Sequence, residues 1–192
     1  MDRPRSRTQP ASVRKEQLLD AAESILLERG LAATTVADVA QAAGVAKGTM
    51  YLQFESKAEL LAALRARYVD RLTDAALAPE DEQVSVQQLV HRLVAGLFDF
   101  SVANGRMHHL LFHEAGFSEA DVFERARTRL EKHLSAAQRR GDLTLIDVEG
   151  CALFLLHGLH GLLVRGLGEG KRSRRRFIEV AEQLTQRVLD GT

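Results

Sequence analysis

Apolar residues in the first third of the chain recur at intervals of three and four. Leu18, Ala22, Ile25 and Leu26 mark one face of a helix over about Val13 to Arg29, with Ser12 as its N-cap and Gly30 as its stop. Thr35-Val-Ala-Asp38 is a capping box in acidic form, since the threonine oxygen can accept a backbone N–H while the carboxylate reaches back. It opens a short helix to Ala43. Gly44 then supplies a tight turn, Val45 drops toward the core, and Ala46 to about Phe54 form a second short helix. Ser56-Lys-Ala-Glu59 repeats the capping pattern and opens a long helix carrying Leu60, Leu61, Leu64, Tyr68 and Leu72, stopped near Pro79.

The same periodicity continues to the end of the chain. It predicts helices from Val84 to Ala103, ended by Asn104-Gly105; from Met107 to Ala115, ended by Gly116; and from Glu119 to Arg140, capped by Ser118 and ended by Gly141. Two more run from about Val148 to Leu167 and from about Arg174 to Leu189. The expected fold is all-α with about nine helices. A small N-terminal module spans residues 12–72 and a larger helical domain 73–192.

Composition supports this picture. Three prolines in 192 residues, with 45% apolar and 27% charged side chains, favour helix over sheet. The 26 basic and 26 acidic residues cancel, so any nucleic-acid contact must come from a local patch. A single cysteine, Cys151, excludes an intramolecular disulfide framework, and no signal-peptide pattern opens the chain; both point to the cytoplasm. The apolar run from Ala152 to Leu167 is broken by His157, His160 and Arg165, and reads as too short and polar to span a bilayer.

Helix, glycine turn and helix within some twenty residues is the geometry that projects a second helix into a major groove while the first braces it. Between Thr34 and Phe54, Val36, Val39, Ala40, Val45, Met50 and Phe54 are placed inward, while Lys47, Gly48, Thr49, Tyr51 and Gln53 face out. The outward set carries phosphate and base-edge chemistry. The segment from about Val13 to Leu60, with the string GVAKGTMYLQFESKAEL, resembles the DNA-binding module of the TetR family of transcriptional regulators.

That resemblance implies a helix-turn-helix that grips palindromic operator DNA as a homodimer. Thr35, at a helix N-terminus, and Lys57, at the start of the long helix, are placed to meet phosphates. Gly48 removes a side chain where backbone and DNA come close, Lys47, Thr49 and Gln53 reach bases or phosphates, and Tyr51 bonds a phosphate through its hydroxyl. Two positions depart from the family's habit: Ala46 replaces a capping serine, and Gln53 stands where His or Tyr is usual. Arg3, Arg5 and Arg7 form either a solvated tail or a DNA-tracking arm.

In the larger domain the resemblance implies a cavity for a small-molecule effector. Its candidate lining is Tyr68, Phe98, Phe112, His113, Phe117, Phe123, Phe154 and His157. His109 and His113 are spaced by four and His157 and His160 by three, so either pair lines a pocket, holds a metal with help from Cys151, or hydrogen-bonds in the core; neither metal nor cofactor is expected. Met107 and His108 carry no assigned role, and Glu114 is a partner for a histidine or arginine. Gly158 and Gly161 cut a notch flanked by Leu155, Leu159 and Leu162, and the resemblance makes this helix and the last one, around Leu184, the dimer interface. The basic run Lys171, Arg172, Arg174, Arg175 and Arg176 reads as a solvated loop or a second nucleic-acid patch.

The expected function is a repressor that an effector releases from its operator. Two other readings stand beside it: a regulator whose larger domain takes a partner protein or corepressor, and an enzyme using the histidines with Glu114. No phosphate loop, nucleophile elbow or metalloprotease spacing supports the last.

Overall fold

The computed structural model describes residues 10–77, 84–114, 123–167 and 171–190, with side chains at all of these except 113, 114, 167 and 171–174. Nine α-helices and no strand run through the described residues: α1 Ala11–Arg29, α2 Val36–Ala42, α3 Lys47–Tyr51, α4 Lys57–Ala76, α5 Val86–Ala103, α6 Gly105–His109, α7 Glu124–Arg140, α8 Val148–Leu167 and α9 Lys171–Asp190. A π-helical turn, Leu110–Glu114, continues α6. The all-α expectation therefore holds. The ends differ in places that local chemistry explains.

Helix α1 begins at Ala11 behind Pro10 and has no side-chain cap, so the cap expected from Ser12 is not used. Proline suits a helix start because its missing N–H would have no partner there. Helix α3 stops at Tyr51 rather than at Phe54. Helix α7 begins at Glu124 behind Phe123, without a side-chain cap, and Ser118 lies outside the described residues.

The chain divides into two compact units. One comprises Met1–Arg65 with Arg106–Phe117, the other Ala66–Gly105 with Ser118–Thr192, and the division falls inside the continuous helix α4. In the first unit α1 packs on α2 and α2 on α3 around Leu18, Leu26, Val39, Met50, Phe54 and Leu64. Each of these is almost fully buried, and a buried aliphatic or aromatic side chain contributes about 1.5–3 kcal/mol. Met107 and His108 are buried here as well, the imidazole stacked on Phe112 at 4.8 Å, so both have a packing role that the sequence did not reveal. Arg65 Nε donates to the Leu111 carbonyl within the π-helical turn at 3.1 Å.

In the second unit α7 packs on α8, α8 on α9, and α5 on both α8 and α9. Gly96 is what lets α5 approach α4 closely, because a Cβ there would lie 2.4 Å from the Ala75 carbonyl oxygen. Arg129 ties α7 to the end of α4 through the Asp74 carboxylate and the Leu77 carbonyl. Arg127 joins Glu124 and Glu131 on its own helix and Glu149 on α8, and its bonds to Glu124 and Glu131 raise its already high pKa.

Helix α8 needs a correction. Over Val148–Gly166 it is long and apolar enough to cross a membrane by length and composition, because the helix begins four residues before the run considered from sequence. Length and composition are shared by core helices of globular proteins. It packs on α5, α7 and α9, with 28% of that stretch buried within the chain.

Candidate nucleic-acid interface

Helix α2 is fixed at its start by the predicted capping box. Thr35 Oγ1 accepts from the Asp38 N–H at 3.2 Å, and Asp38 Oδ2 accepts from the Thr35 N–H at 2.9 Å and from the Thr35 hydroxyl at 2.6 Å. These bonds hold the Asp38 carboxyl below the usual carboxylate range. They also occupy the hydroxyl that was expected to meet a phosphate. Gly44, at φ 66°, makes the turn out of α2 in the left-handed region where a side chain is strained.

Helix α3 follows with Ala46 as N-cap and no side-chain cap bond. Met50 and Phe54 anchor it, both essentially buried, whereas Lys47, Gly48, Tyr51 and Leu52 are exposed and Thr49 and Gln53 half-buried. The predicted outward set thus lies on the accessible side, and Val36 and Val45 are only half-buried. Lys47 Nζ sits 5.9 Å from the Tyr51 ring centroid, and Lys15 Nζ 5.5 Å from that of Phe54.

Gly48 carries the clearest signal. Its φ is not positive, and a Cβ built on it meets no atom within 4 Å. Glycine inside a helix is less favourable than alanine by about 1 kcal/mol. Neither backbone conformation nor packing in this chain calls for it.

Lys57 is tied down inside the unit. Its ammonium donates to the Leu31 carbonyl at 2.6 Å, joining the start of α4 to the loop after α1. Behind it, Ser56 Oγ accepts from the Glu59 N–H at 3.1 Å, but Glu59 accepts from the Glu55 N–H at 2.6 Å, one residue earlier than a standard box requires.

This capped helix, glycine turn and second helix with an open polar face find their counterpart among known proteins. Residues 18–64 match the model of bacterial regulatory proteins of the tetR family. The chain is 32% identical over 168 residues to the probable HTH-type transcriptional regulator ArpR of Pseudomonas putida, across 80% of each protein. It is equally similar, over the same share of both chains, to the HTH-type transcriptional regulator TtgR of Pseudomonas putida.

The chain belongs to the TetR family.

It is therefore a DNA-binding transcriptional regulator, and regulators of the TetR family bind operator DNA, act as dimers and are not enzymes. The fold agrees with solved TetR-type structures. The fatty acid degradation regulator FadR from Bacillus halodurans superposes with a TM-score of 0.67 at 22% identity, over 97% of this chain and 98% of that one.

The TetR resemblance also suggested a set of effector-lining residues, and those of the second unit do not all line one cavity. Phe112 belongs to the first unit; of His113 only the backbone is described, and Phe117 lies outside the described residues. In the second unit Phe98 is core, packed beside Gly166, and Tyr68 is buried edge-on to Phe100 with its hydroxyl pKa pushed up to about 12 by burial. Phe123 alone of the set lines the cavity among α4, α5, α7 and α8, together with Val69, Thr73, Leu97 and His160. That cavity holds only about 30 Å³. His157 is exposed and touches the edge of Phe123 at 5.7 Å, while Phe154 points away, 65% exposed. A larger, more polar groove of about 420 Å³ runs along α7 past Thr128, Lys132, His133 and Arg139. No group of three potential metal ligands occurs among the described residues.

The expected dimer residues do gather. Leu155, Gly158, Leu159 and Leu162 from α8 and Leu184 from α9 line one apolar groove of about 220 Å³, with Phe154 at its margin. Gly161 is not in that groove, but like Gly158 it has open space where a Cβ would stand. The arginines at 3, 5 and 7, Glu114's side chain and those of Lys171, Arg172 and Arg174 lie outside the described residues. Sequence reasoning missed Leu52, which is 81% exposed at the end of α3.

Proposed function

We propose that the effector-free protein binds a palindromic operator as a homodimer, represses transcription there in the cytoplasm, and is released when a small apolar molecule enters the larger domain. Of the N-terminal module, residues 12–72, the part up to the first half of α4 serves DNA binding, while the end of α4 and residues 73–192 serve effector binding and dimerisation. The observation that carries this reading is Gly48, an unforced glycine on the exposed face of α3 between Lys47 and Thr49. A DNA backbone or base edge approaching there would account for it.

On this reading Lys47, Thr49 and Gln53 reach base edges or phosphates. Tyr51 gives its hydroxyl to a phosphate while its ring rests beside the Lys47 ammonium. Thr35 acts chiefly by capping α2, and phosphate contact at that end falls to the amides of Val36 and Ala37, which have no partner within the helix. Lys57 keeps two further N–H donors for a phosphate while the third holds Leu31.

The small cavity supports an apolar effector. At about 30 Å³ it is far below the several hundred cubic ångströms that a metabolite needs, so entry requires its walls to move. One wall is the stretch Val69 to Leu77 at the end of α4, and α4 runs unbroken back to Lys57 beside the DNA-reading helix. Release requires the effector to favour the moved state, and a coupling of about 1–3 kcal/mol is typical.

Selection of bound duplexes from a random pool, followed by footprinting, tests the reading. The expected result is a protected inverted repeat whose half-sites are one or more helical turns apart. A folded two-subunit sample that protects no palindrome at any salt concentration overturns it. Binding only in the presence of an added metabolite reverses the sign of the switch.

A further inference from the structure

An isolated exposed leucine is ordinary on a protein surface. Leu52 differs in where it stands. Its N–H donates to the Gly48 carbonyl at 3.1 Å and its φ and ψ, −71° and −20°, are helical, so it sits one turn above Gly48 on the same face of α3. Tyr51, three residues from Gly48, flanks that face. Leu52 is 81% exposed, more than Tyr51 at 45%, so little of its isobutyl group is used in packing within the chain. Whatever surface approaches Gly48 closely enough to need a glycine must also meet Leu52.

We propose that Leu52 reads a thymine, its side chain packing against the 5-methyl group of one thymine in each operator half-site. The inference rests on α3 being the helix that enters the major groove. There the thymine methyl is the apolar feature that separates thymine from the other bases. Lys47, Thr49 and Gln53 supply polar contacts, which leaves Leu52 as the apolar reader on this face. The other candidate surface for a leucine, the sugar-phosphate backbone, offers no sequence preference.

The experiment uses the full-length protein and the duplex it selects from a random pool. Each thymine is replaced in turn by deoxyuridine, which removes only the methyl group, and dissociation constants are measured for the wild type and for Leu52→Ala. One position per half-site is expected at which uracil weakens wild-type binding about fourfold, as removal of one buried methyl-sized group predicts. Leu52→Ala should bind the thymine duplex more weakly and show no loss on changing that position to uracil. Because Leu52 is exposed, the variant should melt with the wild type, and Leu52→Met, which keeps an apolar tip, should retain part of the methyl effect.

Equal sensitivity to uracil in wild type and Leu52→Ala overturns the inference, as does a variant that weakens all duplexes alike. Both outcomes leave groove entry by α3 intact. A wild-type protein that selects no sequence overturns groove entry itself, and this inference with it.

Discussion

The Lys57 ammonium and the Leu31 carbonyl are joined by a 2.6 Å hydrogen bond that spans 26 residues of sequence and closes the DNA-binding module behind its reading helix. A charged donor on a half-buried carbonyl is stronger than a neutral pair, and the remaining solvent access reduces it. Lys57→Met should therefore destabilise the protein by about 1–2 kcal/mol in urea denaturation. The variant also separates two roles. If Lys57 additionally meets a phosphate, the slope of log affinity against log salt concentration should fall by about 1; an unchanged slope would leave it a purely structural lysine.

Gly48→Ala should have opposite effects on folding and binding. No protein atom lies where the new methyl would stand, and the backbone is not left-handed, so the free protein should gain about 0.5–1 kcal/mol. Affinity for the selected duplex should drop at least about tenfold, the equivalent of 1.4 kcal/mol, if DNA approaches this point. A variant that is both more stable and equally tight in binding would remove the main support for the docking geometry.

Gly96→Ala is the same chemical change with the reverse expectation. Its methyl would lie 2.4 Å from the Ala75 carbonyl oxygen and 2.7 Å from the Ala76 Cα, both backbone atoms that cannot swing aside. The crossing of α4 and α5 would have to open. Overpacking of this kind costs about 1–3 kcal/mol, which outweighs the better helix propensity of alanine, and the melting temperature should fall.

These glycines show how far the sequence could be read. The capping box at Thr35 and Asp38, the turn at Gly44 and the outward placement of Lys47, Tyr51 and Gln53 depend on residues a few positions apart, and local periodicity exposes them. Gly96 and Gly48 look alike in sequence, yet one meets a helix from elsewhere in the chain and the other meets nothing. The same limit hid Lys57's partner and the fates of the aromatic residues. Phe98 and Phe154 are both apolar helical positions, yet one is 1% and the other 65% exposed, since only packing decides which face of α5 or α8 is covered. Leu52 was placed on neither face, since at the end of a five-residue helix the local pattern alone does not decide whether an apolar side chain is covered.

Asp38 makes the module sensitive to acid. Its folded-state pKa is lowered by the bonds from Thr35, so the stabilisation it gives is present above the ordinary aspartate value, about 3.9, and is lost as pH falls through the lower folded value. Asp38→Asn should thus be less stable than the wild type at neutral pH, with the difference shrinking below about pH 4. Thr35→Ala, which removes the capping hydroxyl, should cost about 0.5–2 kcal/mol. A stability difference for Asp38→Asn that stays constant into acid would show the carboxylate charge to be irrelevant to the cap.

The groove between α8 and α9 can be tested without knowing the effector or the operator. Phe154 is 65% and Leu184 51% exposed along an apolar surface that includes Gly158, and water is a poor neighbour for all three. If a second copy covers this surface, replacing Phe154 and Leu184 together by glutamate should leave a folded monomer, because neither side chain supports its own subunit's core. Sedimentation at micromolar concentration reads the change in mass, and circular dichroism checks that the helices remain. DNA binding should fall with dimerisation, since one reading helix then engages one half-site without the second contact that multiplies affinity. Gly158→Ala is the finer probe: nothing within its own chain meets the added methyl, so any loss of dimer must come from the partner's surface. A double glutamate variant that sediments as the wild type would place the subunit contact elsewhere and leave this apolar face unexplained.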